Sequence, residues 1–192
     1  MTSPSITLVI GPASSGKSEW AEYLATQTNK QVIYVATATV DYDDEEWQAK
    51  ITKHIQRRPT TWKTIAAPVD LAPVVLKGNF DTCMLVDSLG TWLANLMDQD
   101  EMAWEDTVEE LVANLQQTSG EFIFVAEETG WGVVPAYPVG RTFRDRLGKL
   151  TRRLGTIANP VYLVTGGHVL NLSTMAIPLP NTKKVRKVLK YV

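Results

Sequence analysis

Gly11-Pro12-Ala13-Ser14-Ser15-Gly16-Lys17-Ser18 is the stretch on which the fold turns. It fits the spacing G-x-x-x-x-G-K-[ST]. Glycine at both ends lets the backbone curl so that successive N–H groups point inward at an anion. A helix starting directly behind adds its partly positive N-terminus. Context decides whether such letters mean anything. Here Ile6–Ile10, an unbroken apolar or β-branched run, precedes the glycine turn, and an amphipathic segment from about Lys17 to Thr26 follows it. Strand, nest and helix in that order form a phosphate cradle in which Lys17 reaches the β- and γ-phosphates and the Ser18 hydroxyl ligates Mg²⁺.

Outward from this unit, short β-branched runs alternate with longer amphipathic ones. Strands are expected at 31–36, 62–65, 82–86, 121–126 and 161–165, and helices at 43–57, 69–76, 89–97, 102–117 and 139–158. This alternation predicts an α/β fold: a mostly parallel sheet of five or six strands with helices on both faces, of the P-loop NTPase type. At 192 residues it forms one domain, 1–180, followed by a basic tail, 181–192. The tail carries Lys183, Lys184, Arg186, Lys187 and Lys190 with no acid, and reads as a solvated terminus.

Composition narrows the function classes. The chain is 44% hydrophobic and 21% charged, which excludes collagen-like, disordered and disulfide-scaffold proteins. Its net charge of −2 gives no basic field for nucleic acid. No apolar run approaches the ~20 residues that span a bilayer, and the N-terminus lacks the basic and apolar regions of a signal peptide. A cytoplasmic location is expected. The lone Cys83 sits in an apolar strand and reads as a buried, inert thiol.

Three further segments bear on chemistry. Asp87 follows the 82–86 strand, where an acid holds Mg²⁺ beside the nest or caps the next helix; Asp81 lies at the wrong end of that strand. His54 stands in Lys53-His54-Ile55-Gln56-Arg57-Arg58-Pro59. There it either ends a helix favourably or attacks phosphorus among cations that neutralise the developing charge. His168, after two glycines, lacks such company and reads as structural. Glu127–Pro135 (EETGWGVVP) leaves a strand end where α/β sheets place ligand loops, and is either a tight turn or a mobile loop carrying an aromatic platform. Arg141, Arg144 and Arg146 either reach a phosphorylated substrate or pair with acidic neighbours.

Taken in order, these features resemble one family. The nest is followed by Tyr34-Val35-Ala36-Thr37-Ala38, Asp44-Glu45-Glu46-Trp47, His54 with Arg57-Arg58-Pro59 and Trp62, Val86-Asp87 with Trp92 and Asn95, the Glu128–Pro135 loop, and Arg141-Thr142-Phe143-Arg144-Asp145 with Gly148. The chain from Ile6 to about Gly166 is similar to the bifunctional adenosylcobinamide kinase and adenosylcobinamide-phosphate guanylyltransferase family of cobalamin biosynthesis. The resemblance implies two reactions. A nucleoside triphosphate, ATP or GTP, first phosphorylates the aminopropanol hydroxyl of adenosylcobinamide. His54 then takes GMP from GTP, releasing pyrophosphate, and passes it to the new phosphate to give adenosylcobinamide-GDP.

It also implies a site. Its catalytic residues are His54 and Lys17, its metal ligands Ser18 and Asp87. The nucleotide is bound by Gly11, Pro12, Ala13, Ser14, Ser15, Gly16, Lys17 and Ser18, by Ala36, Thr37 and Ala38, by Ile55, Gln56, Arg57 and Arg58, and by Asp87. The helix bearing His54 is expected to move on GTP binding. A corrinoid is too large for so small a domain to engulf, so a homo-oligomer with a shared site is expected, a trimer by resemblance. Four positions depart from the family pattern: Ser14 stands for a common Arg, Ala66 for a Glu, Glu127 for an Asn, and Thr151-Arg152 for Asn-Gln. Two other readings of the same motifs are a P-loop kinase for another small molecule, with His54 structural, and a nucleotide-driven switch or assembly ATPase.

Overall fold

A computed structural model of the chain describes residues 3–39, 52 and 55–180. The 43–57 helix up to His54 and the basic tail therefore lie outside the described residues, apart from residue 52. Residues 55–57 are helical, and the helix is over before Pro59, as the missing N–H of proline requires.

Seven strands form one sheet in the order β3-β2-β4-β5-β1-β6-β7. They are β1 (Ser5–Gly11), β2 (Gln31–Ala36), β3 (Lys63–Ala66), β4 (Thr82–Asp87), β5 (Glu121–Glu127), β6 (Val161–Thr165) and β7 (His168–Asn171). All neighbouring pairs are parallel except β6 with β7. Between them run α1 (Lys17–Gln27), α2 (Leu71–Val75), α3 (Leu89–Ala94), α4 (Glu101–Gln116) and α5 (Pro138–Gly155), with α6 (Leu172–Met175) after β7.

The central strands β1, β4 and β5 are buried along nearly their whole length, because helices cover both faces. Alternate residues separate the two layers. Val9, Val32, Tyr34, Cys83, Leu85, Ile123 and Val125 face α1 through Ala21 and Ala25. Leu8, Val35, Met84, Val86, Phe122 and Phe124 face the opposite layer, with Leu71, Trp92, Trp104, Leu111 and Leu150. No helix among the described residues is long and apolar enough to cross a membrane.

The expected five or six strands become seven. The additional one, β7, is four residues long and turns back on β6 through Gly166 (φ 57°) and Gly167 (φ 75°), so that Thr165 pairs with His168. Two positive-φ glycines between short β-prone runs are a hairpin signature, and the signal was present in the sequence. His168 serves the hairpin: its Nδ1 lies 2.8 Å from the Gly166 carbonyl. The helix expected over 89–97 is shorter, since Asn95 ends α3 and turns its side chain to the Thr37 and Pro68 carbonyls at 2.8 and 2.9 Å.

Candidate functional site

The carboxyl edge of the sheet carries the site. Parallel register aligns Ala36 with Asp87, Asp87 with Val125, and Gly11 with Glu127, so the ends of β2, β4, β5 and β1 form one continuous rim. The nest opens from β1. Gly16 caps α1 with a φ of 92°, a left-handed conformation that suits glycine, and Ser14 has a φ of 57°. Left-handed residues of this kind are the reversals from which anion-binding nests are built. Lys17 is buried to 8% exposure, and its Nζ donates to the Pro12 carbonyl at 3.3 Å. The ammonium is thus folded back across the mouth of the nest. The Ser15 hydroxyl is buried without a hydrogen-bond partner among the described residues.

Asp87 joins the nest to the neighbouring strands. Its carboxylate accepts from the Ser18 hydroxyl at 3.3 Å and from the Tyr34 hydroxyl at 3.1 Å. Burial first, then the adjacent Asp87 charge, push the Tyr34 phenol far above its ordinary range, so it remains a donor. The alternative role for Asp87, capping the following helix, belongs instead to Ser88, whose hydroxyl accepts from the Thr91 amide. Asp81 lies in the turn before β4, at the opposite edge. Hydroxyl and carboxylate oxygens facing one point are the hard donors that Mg²⁺ takes, so Ser18 and Asp87 fit that ion.

Two arginines bind the chain beyond His54 to this rim. Arg57 donates to Glu19 at 2.8 Å and to Glu22 at 3.2 Å, both on α1. The Arg58 guanidinium lies 3.4 Å from the Tyr34 ring centre, stacked on the aromatic face. Desolvation raises the Glu22 carboxyl above its usual range, and Arg57 opposes the shift in part. Ile55 and Gln56 are exposed beside them. His54 lies outside the described residues.

The other expected contacts separate. Thr37 is fully buried and exchanges hydrogen bonds with the Ser88 backbone at 2.8 Å, so its side chain joins the ends of β2 and β4 while Ala36 and Ala38 remain half-buried on the rim. The loop after β5 begins at the nest, with the Glu128 amide donating to the Gly11 carbonyl at 2.8 Å, and presents an exposed Trp131. The arginines of α5 are engaged with the protein itself. Arg141 donates to the Pro135 and Ala136 carbonyls, Arg144 pairs with Asp145, and buried Arg146 reaches Glu101 and the Gln99 carbonyl. Tyr34, Glu19 and Glu22 were not singled out as site residues from the sequence. Tyr34 meets Asp87 through the β2–β4 register, which places Tyr34 opposite Leu85 and Ala36 opposite Asp87 and is not written in the spacing along the chain.

A glycine-rich nest feeding a helix, and an acid at the end of a nearby parallel strand, define a P-loop nucleotide-binding protein. The fold agrees with that of an ATPase from the type III secretion system of pathogenic bacteria, at a TM-score of 0.51 and 9% identity, over 95% of this chain and 60% of the other. A family model described as cobinamide kinase / cobinamide phosphate guanyltransferase matches residues 7–172, and the chain belongs to that family. It is 35% identical over 162 residues to the bifunctional adenosylcobalamin biosynthesis protein CobP of Pseudomonas aeruginosa, covering 83% of this chain and 92% of the relative. It is 32% identical over 175 residues to the corresponding CobU of Escherichia coli, covering 83% and 95%.

Proposed function

We propose that a single nest serves two phosphorus transfers in this chain. As a member of its family the chain is a bifunctional cobinamide kinase and cobinamide phosphate guanylyltransferase of cobalamin biosynthesis. What unites the two reactions is the part of the nucleotide that must be gripped. In the kinase reaction the β- and γ-phosphates sit in the nest, and the γ-phosphoryl group moves to the acceptor hydroxyl. In the guanylyl reaction the same two phosphates are the leaving pyrophosphate. The backbone N–H groups of the nest, which Pro12 alone lacks, and the Lys17 ammonium therefore neutralise charge in both. Gripping serves as well as chemistry, because positioning supplies much of the rate in phosphoryl transfer.

The observation that carries this reading is the Ser18–Asp87 couple at the mouth of the nest. Mg²⁺ held by that pair would supply further neutralisation of the triphosphate. His54 acts as the nucleophile: its neutral ring nitrogen attacks the α-phosphorus of GTP and pyrophosphate departs. The acceptor's phosphate oxygen then displaces GMP from the ring. Arg57 and Arg58, fastened to α1 and Tyr34, support it by anchoring the segment from Ile55 onward against the elements that carry the nest and Asp87.

Incubation with GTP and Mg²⁺ followed by intact-mass measurement tests this. The expected result is a gain of one GMP, labile in acid, stable in base and absent from His54→Ala. A chain that phosphorylates cobinamide but gains no mass is a kinase alone, and the guanylyl assignment to His54 is then wrong. We also propose a cytoplasmic homo-oligomer, a trimer on family grounds, with adenosylcobinamide held between copies. An active monomer in solution would refute the shared site.

A further inference from the structure

The chain between β5 and α5, residues 128–137, is longer than the connection requires. Ten residues separate the two elements, where about 2–6 are usual for a strand-to-helix link, and surplus loop is commonly functional. A tight turn over Glu127–Pro135 is therefore not what forms. Both ends of the loop are fixed. At its start the Glu128 amide donates to the carbonyl of Gly11, the first residue of the nest, and the Glu128 carboxylate accepts from the Gly130 amide at 3.2 Å. At its end the Arg141 guanidinium donates to the Pro135 and Ala136 carbonyls at 3.0 and 2.7 Å, so that cation is turned onto the loop's own backbone.

Between these points the loop presents apolar side chains to solvent. Val133 is 95% exposed, Tyr137 76% and Trp131 68%, and Val134 and Val139 are exposed with them. Single exposed apolar residues are ordinary, but five in one loop and the first turn of its helix are the concentration that marks a contact surface. No residue from Thr129 to Gly140 is charged. Such a surface has nothing to pair with a phosphate. It suits a large ring bearing methyl and amide groups, which is held by apolar and aromatic contact and by hydrogen bonds that need no charge.

We infer that this loop is the surface on which the corrin ring of cobinamide rests. The inference depends on the function proposed above and assigns the acceptor's half of the site. The hydroxyl to be phosphorylated ends a side arm of the ring. With that hydroxyl at the nest, the ring lies within one arm's length of Gly11, and the loop begins by hydrogen-bonding to Gly11. Elsewhere the rim is charged, with Arg57 against Glu19 and Glu22 and Arg58 on Tyr34. That edge suits a nucleotide. The uncharged loop suits a ring whose carboxyl arms are amides, and Trp131 offers it a rigid aromatic face.

The test uses the full chain. Equilibrium dialysis against cobinamide, read by the corrinoid's own visible absorbance, gives its Kd, and intact mass reads GMP capture, which needs no corrinoid. Trp131→Ala is expected to weaken cobinamide binding about 30-fold, as for loss of an aromatic anchor from a contact surface. Trp131→Phe keeps a ring and should lose less than about fivefold. KM for cobinamide rises in step with Kd, while GMP capture and Tm keep the parent's values because the side chain is exposed. Val133→Asp puts a charge on the patch and should weaken binding about tenfold. Binding by Trp131→Ala within about twofold of the parent overturns the inference. If that variant does not fold, the same result in Val133→Asp has the same force. A fall in assembly size on sedimentation that accompanies the lost binding also overturns it, since a second copy is then what the loop contacts. A parent chain that binds no cobinamide removes the proposed function itself; a parent whose affinity both variants share removes only the loop's part.

Discussion

Asp87→Asn should separate what holds the fold from what holds the phosphates. The Tyr34 hydroxyl that Asp87 accepts is buried, with the residue 3% exposed. An asparagine carbonyl can still accept that bond, so the hydroxyl escapes the penalty of about 1–3 kcal/mol for a buried polar group left unpaired. The ligand-free variant should therefore lose less than about 1 kcal/mol, or about 2–4 °C in Tm for a chain of this size. Asp87→Ala removes the acceptor and should lose two to three times as much.

The nucleotide-dependent part behaves differently. Magnesium–GTP at a hundred times its Kd stabilises the folded state by about 2.7 kcal/mol. If removing the carboxylate charge weakens binding about 100-fold, that increment shrinks to about 0.4 kcal/mol. Thermal melts with and without magnesium–GTP, in a His54→Ala background that forms no adduct, read both quantities. Phosphorylation by Asp87→Asn alone should fall about 100- to 1,000-fold, the range for losing one preorganised electrostatic contact. A variant that keeps the full magnesium–GTP increment and the kinase rate would refute the cation-holding role. Equal loss of ligand-free stability in Asn and Ala variants would refute the hydrogen-bond argument.

Two further outcomes follow from burial. Glu22→Gln deletes a visible ion pair with Arg57, yet should leave the protein at least as stable at pH 7. Burial raises the folded-state pKa of Glu22, so the stability it contributes is present below its unfolded value near 4.5 and lost as pH rises through the higher folded value. Melting curves of variant and parent should converge in acid and separate toward neutrality, and a variant less stable at pH 7 would reverse the sign. Cys83 is fully buried, and burial pushes its thiol up to about 12. Iodoacetamide at pH 8 should modify it only after unfolding in urea, and rapid labelling of the native protein would contradict its packing.

How far the sequence discloses this molecule depends on the range of the interaction. The nest, β2 and β6 are legible because strand, turn and helix signals are local and agree with one another. Asp87 is legible as the residue at a strand's carboxyl end, but its partners are not. Tyr34 meets it only because β2 and β4 pair in a particular register, and Ser88 takes the cap that Asp87 was equally suited to fill. Asn95 ends α3 early for a similarly distant reason, the carbonyls of Thr37 and Pro68. Glu127 packs against Gly90 from another element, a match that no spacing along the chain reveals. The β7 hairpin is different. Its Gly166-Gly167 signal was local and readable, but the half-exposed His168–Asn171 lacks the long apolar run that marks the central strands.

Two transfers at one nest raise the question of how a hydroxyl and an imidazole avoid competing for the same phosphorus. The rim offers two approaches on opposite faces of the sheet. Arg57 and Arg58 are fastened to α1 and Tyr34, in the layer formed by Ala21, Ala25 and Leu85. Glu127 rests on α3, which packs into the other layer through Leu89 and Trp92. If the nucleophile works from the α1 side alone, as proposed, His54→Ala abolishes GMP capture and leaves phosphorylation of cobinamide unchanged, each half-reaction read by mass spectrometry. A variant that loses both activities together, with its fold intact by thermal melt, would mean that both transfers run through one approach.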